Sequence, residues 1–120
     1  MNKDSRLTTE DDRGDIVHSV LHEKNDFIIV THGTFTICQT GRAFKNALSS
    51  SAKTVLLVGA WIPFNEPNSD AEHQMAFALD ILKSPQVGVF IAMDNRLWDP
   101  DTTEKKEITP DRYQLEIFRF

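Results

Sequence analysis

Apolar residues along this chain come in two rhythms, short unbroken runs and sparse helical repeats, and the two alternate. The runs "FIIV" (27–30), "TVLLV" (54–58) and "VGVFIA" (87–92) are short and rich in β-branched residues. Such runs predict strands, and the first two read as buried on both faces. Ahead of the first run, Thr8-Thr9-Glu10-Asp11-Asp12 predicts a helix start, with a threonine cap and an acidic first turn. Ile16, Val17, Val20 and Leu21 follow at helical spacing, and Asn25-Asp26 ends the repeat. Between the first and second runs, Ile37, Phe44, Ala47 and Leu48 recur at the helical period. Gly41 interrupts that repeat at a cost of about 1 kcal/mol against alanine. Between the second and third, Ser69-x-x-Glu72 is a capping box, with Met75, Ala78, Leu79 and Leu82 on one face of the helix it opens.

Ser49-Ser50-Ser51 and Pro85 punctuate the repeats, and "WIPFNEPNSD", with two prolines and two asparagines, reads as a long loop. A polar, proline-containing stretch follows the third run, and "YQLEIFRF" reads as a last strand. The alternation of helix and strand predicts a three-layer α/β/α domain over 1–120, with a mostly parallel, Rossmann-like (flavodoxin-like) sheet and right-handed crossovers. In such sheets ligands gather at the carboxyl ends of the strands. Three polar segments fall there together, 31–34, 60–70 and 94–106.

Composition narrows the partners. The net charge of −5 argues against nucleic acid, whose phosphates select clustered Lys and Arg. The densest basic spot, Lys105-Lys106, is flanked by Glu104 and Glu107. One cysteine, Cys38, rules out an internal disulfide and fits a reducing compartment. The polar, acidic start has the pattern of neither a signal nor a transit peptide, and no apolar run is long enough to span a bilayer. A cytoplasmic protein is the expectation.

The loops then become recognisable. "IIVTHGTFTI" resembles the "VTHGTDTM" segment of the bacterial-type L-asparaginase/glutaminase family. "KTVLLVGAWIPFNEPNSDA" is similar to that family's "KPVVLTGAMRPSTSMSADG", "GVFIAMDNRLWDPDTTEKK" to "GVLVVMNDTVLDGRDVTKT", and "KDSRLTTEDD" to "DSQDMTDED". The four motifs stand in order over about residues 4–106, as in the family's amino-terminal domain, and the chain resembles short single-domain members. The resemblance implies a threonine assisted by a second threonine, a lysine and an aspartate, attacking a side-chain amide and releasing ammonia. It sets the second threonine on Thr34, the lysine on Lys105 (or its neighbour Lys106), the substrate-carboxylate serine on Ser5, and the backbone position flanking the amide on Ala60.

Three departures accompany it. No TGGTI motif, which carries the family's first threonine on its first strand, is present. The aspartate that follows the second threonine and holds the substrate ammonium is Phe35, and the glutamine after the binding serine is Arg6. Stranding one member of a buried charge pair costs about 3–5 kcal/mol, or roughly two to four decades in rate. Without the family's first strand the 27–30 strand has an open edge, an aggregation hazard unless covered. The cover expected is either sequence upstream of Met1 or another chain, most simply a second copy.

Each site residue also has a plainer reading. Thr34 could cap the following helix, Lys105 could be solvated surface, and Ser5 a loop residue. Ser69-Asp70 reads as a helix cap, and Cys38 as a small buried residue. Trp61 and Trp98 either stack on a ligand or seal their loops. His18-x₃-His22 lacks a third metal ligand, so neither metal nor other cofactor is expected. The expected function is an asparaginase-like amidohydrolase domain, degenerate or incomplete as written, for a small amino-acid-like ligand. The alternative is a non-catalytic ligand-binding or assembly module on the same scaffold.

Overall fold

The computed structural model describes residues 10–34, 36–48, 52–62, 66–84, 86–109 and 112–117. Helix α1 (Glu10–Leu21) leads into strand β1 (Phe27–Thr31), followed by α2 (Ile37–Ala47), β2 (Thr54–Val58), α3 (Ala71–Ile81) and β3 (Gly88–Met93). The chain then forms β4 (Arg96–Trp98), a 3-10 turn (Pro100–Thr102), β5 (Thr103–Thr109) and β6 (Arg112–Ile117). Strands β1, β2 and β3 are parallel and in sequence order, and β4 closes the sheet antiparallel to β3. The β5–β6 hairpin is a sheet of its own.

The period-2 geometry of strands divides β2 between two cores. Val55 and Leu57 pack with Ile37, Phe44 and Leu48 of the α2 side and with Val20 of α1. Leu56 and Val58 face the other way, onto Ala78 and half-buried Phe77 and Ile81 of α3. Helices therefore cover both faces of a mostly parallel sheet, the α/β/α layering that the alternation predicted. Every residue of β2 is buried.

Strand β1 differs from its expected burial on both faces. Ile28, Ile29 and Val30 are only half-buried and Phe27 is 53% exposed, because β1 is an edge that pairs, among the described residues, with β2 alone. Two helix faces also shift. Ala47 is exposed, and Leu79 is 54% exposed while the polar Gln74 takes the buried position on α3 at 2%.

The polar stretch after β3 proved more regular than its composition implied. Asp94 and Asn95 both adopt positive φ (55° and 59°), forming a two-residue turn that reverses β3 into β4. Paired positive φ values match the right-handed twist of the flanking strands. The hairpin beyond is tied to the main body by Arg42 of α2, which donates from Nε to the Pro100 carbonyl (2.8 Å) and from Nη2 to the Thr103 carbonyl (2.7 Å). Gly41 explains its place in the same helix: a Cβ there would lie 2.8 Å from Pro100 Cγ and 2.9 Å from its Cβ. Helix propensity is given up so that the proline can approach.

Candidate functional site

At the carboxyl end of β1 the chain turns through His32-Gly33-Thr34 before α2 begins. The His32 amide still bonds the Val58 carbonyl (2.9 Å), extending the sheet by one residue. Its ring is fixed at both nitrogens: Nδ1 donates to the Gly33 carbonyl (2.6 Å), and Nε2 is hydrogen-bonded with the buried Thr40 hydroxyl at 3.0 Å. The turn is also packed from β2. A Cβ on Gly59 would meet the His32 carbonyl and Thr34 Cγ2, each at 3.0 Å.

Thr34 is half-buried, and its Oγ1 accepts a hydrogen bond of 3.1 Å from Lys105 Nζ on β5. The N-cap of α2 is Thr36, two residues later, so Thr34 is not the residue that starts the helix. Lys105 is half-buried and Lys106 exposed. Alternation along the strand turns the first toward the sheet ends and the second away. The lysine read from sequence as either surface or site is the one that reaches the hydroxyl.

Ala60 is half-buried at the carboxyl end of β2, one residue beyond Gly59. Ser5, Arg6 and Phe35 lie outside the described residues. Asp70 stands at the N-cap of α3, yet its carboxylate makes no capping bond to the helix. It accepts instead from the backbone N–H groups of Trp61 (3.0 Å) and Ile62 (2.9 Å) and from Gln74 Nε2 (3.0 Å). The helix is served by Ser69, whose Oγ accepts from the Ala71 N–H at 3.1 Å. Burial would raise the Asp70 carboxyl, but the Gln74 amide and the backbone N–H groups of Ile62, Trp61 and Asp70 itself outweigh it and hold the group below its ordinary range.

Two elements of the site escaped the sequence reading. Gln74 bridges the loops after β2 and β3: its Nε2 also donates to Asp94 Oδ1 (2.9 Å), and its Oε1 accepts from the Asp94 N–H (2.7 Å). Asp94 in turn accepts the Trp61 indole N–H with both oxygens (3.1 and 3.0 Å). Nothing in the composition of α3 marks a buried glutamine. Tyr113 on β6 is the second, its ring centroid 4.5 Å from Lys105 Nζ, with Trp61 at 5.8 Å.

Trp98 seals rather than lines: it is 8% exposed and donates to the Met93 carbonyl (3.0 Å). Cys38 is buried, and burial raises its thiol above the ordinary value, opposed by Arg42. His22 Nδ1 is bonded to the His18 carbonyl (2.9 Å), and no group of three metal-ligating side chains occurs among the described residues. No helix among them is long and apolar enough to cross a membrane.

Fold and site together define an α/β domain with a hydroxyl–ammonium pair at the carboxyl end of its parallel sheet. Residues 1–111 match the family model described as Asparaginase, N-terminal. The L-asparaginase of Thermococcus kodakarensis is 30% identical over 99 residues, 81% of this chain and 30% of that protein. Among solved structures, L-asparaginase I from Vibrio cholerae superposes with a TM-score of 0.82 at 23% identity, covering 96% of this chain and 35% of its own. The probable cytoplasmic L-asparaginase from Campylobacter jejuni gives 0.78 at 22%, covering 93% and 36%. The chain belongs to the asparaginase family and corresponds to its amino-terminal domain. It spans about a third of the length of these relatives.

Proposed function

We propose that residues 1–120 form one asparaginase-type amidohydrolase domain in which Thr34 and Lys105 are the acting pair on the side-chain amide of a small amino-acid-like substrate. The observation that carries this reading is the 3.1 Å hydrogen bond between Lys105 Nζ and Thr34 Oγ1, linking residues 71 positions apart. A threonine hydroxyl is a weak nucleophile unless a neighbour stabilises its alkoxide or takes its proton. An ammonium at hydrogen-bond distance does the first, and its neutral amine does the second. Ala60, beside the turn, offers backbone to an amide; Ser5 is assigned to the substrate carboxylate by sequence register alone, with Arg6 beside it where the family has a glutamine. Phe35 in place of a carboxylate and the lack of a TGGTI motif make the expected turnover low. Those same two departures favour the second reading, a binding or assembly module. The cytoplasmic setting rests on the lone Cys38, and self-association on the exposed β1 edge.

Ammonia release from asparagine and from glutamine, measured on the purified protein, separates the readings. Slow turnover that Thr34→Ala and Lys105→Met each reduce by two orders of magnitude or more supports the enzyme. No turnover at high protein concentration overturns it and leaves the module.

A further inference from the structure

Lys105 has a long stem with a point charge at its tip, and its Nζ donates to the Thr34 hydroxyl. Two aromatic rings face its ammonium as well, Tyr113 at 4.5 Å and Trp61 at 5.8 Å from ring centroid to Nζ. The rings come from different bodies. Tyr113 is fixed by hairpin register: Lys105 pairs with Leu115, which is buried, and Tyr113 is two positions along β6 on the same face. Trp61 belongs to the loop after β2, and its orientation is set from the opposite side.

That orientation is secured by polar contacts around the buried Gln74. Both oxygens of Asp94 accept the indole N–H, Gln74 holds Asp94 through its amide N–H and its carbonyl, and Asp70 holds the backbone of Trp61 and Ile62. A carboxylate on the indole N–H pushes electron density into the ring and strengthens the attraction of its face for a cation.

We infer that Trp61 and Tyr113 form an aromatic clamp that positions the Lys105 ammonium against the Thr34 hydroxyl, with Asp94 acting on that ammonium through the indole. The clamp supplies electrostatic restraint on the lysine from two π faces. Trp61 and Tyr113 are positioning residues, and Lys105 is the group they position. The inference rests on the reading of Thr34 and Lys105 as the acting pair, although its first test does not need turnover.

Lys105 side-chain resonances are identified by their loss in Lys105→Met, using the carbon-13-labelled 120-residue chain. The expected result is an upfield ring-current shift of the Lys105 ε protons relative to the other lysines. Tyr113→Leu and Trp61→Leu each move them back toward the common position, and Tyr113→Phe, which keeps the ring and removes the hydroxyl, preserves the shift. Tyr113 is 42% exposed, so its replacement leaves the fold intact and keeps the test valid even where Trp61→Leu does not fold. Lys105 resonances coincident with the other lysines in the unsubstituted protein overturn the clamp. So does Tyr113→Phe acting as strongly as Tyr113→Leu. Where turnover is measurable, each lost ring lowers kcat about two- to fivefold with KM unchanged. Absence of turnover counts against the amidohydrolase reading, while the resonance shifts decide the clamp.

Discussion

A single glutamine holds the rim of the site together. Gln74 contributes a donor and an acceptor to Asp94 and a donor to Asp70, from a position 2% exposed. Gln74→Leu preserves size and helix propensity but leaves the Asp94 N–H and two carboxylates short of partners. Hydrogen bonds to charged groups contribute about 1.5–3 kcal/mol. The expected loss of stability is of that order, seen as a lower urea midpoint with unchanged slope. At this scale the sequence was partly legible. Thr34 and Lys105 emerged from motif register, but Gln74 and Tyr113 did not. Their roles depend on which face of an element points inward, and a lone polar residue gives no periodicity to follow.

Among the elements, the helix α2 shows how a local rule yields to packing. Gly41 costs about 1 kcal/mol of helix propensity relative to alanine, yet its Cα faces the Pro100 ring. Gly41→Ala should therefore destabilise by about 1–3 kcal/mol, the usual range for overpacking, as measured by thermal or urea denaturation. A gain in stability would show that the proline gives way. The strands were legible in proportion to their burial. The run 54–58 coincides with β2 because five consecutive buried residues leave no ambiguity, and 87–92 lies within one residue of β3. Strand β5, "TEKKEIT", was hidden because one of its faces is solvated. Its alternation of inward Thr103 and Lys105 with outward Glu104 and Lys106 is a period-2 signal written in polar residues. The Asp94-Asn95 pair was the other overlooked cue, since both residue types tolerate the positive φ that a two-residue hairpin needs.

For the molecule as a whole, three titrating groups make stability depend on pH. Asp99 is held below its ordinary range: burial would raise it, but the Lys45 ammonium and the Asp101 N–H outweigh that effect. Asp70 is lowered likewise. A carboxyl whose folded pKa is depressed stabilises above its unfolded pKa, and that contribution is lost as pH falls through the folded value. Lys45, raised mainly by its hydrogen bond to Asp99, stabilises fully below its unfolded pKa and loses the contribution as pH rises through the folded one. Thermal midpoints should therefore hold a plateau between these ranges and fall at both ends. Asp70→Asn should flatten the acid limb, and an unchanged limb would remove Asp70 from that account.

Among the described residues, the hairpin that brings Lys105 shares no strand pairing with the sheet that brings Thr34. It is docked by Arg42 and by the burial of Leu115 and Thr103. Completing the site is thus a docking equilibrium nested inside the folding equilibrium. Sub-global openings of this kind have their own, smaller free energy. A condition that loosens the hairpin would dismantle the Thr34–Lys105 couple while the parallel sheet stays folded, so the chain can lose that couple without losing its shape.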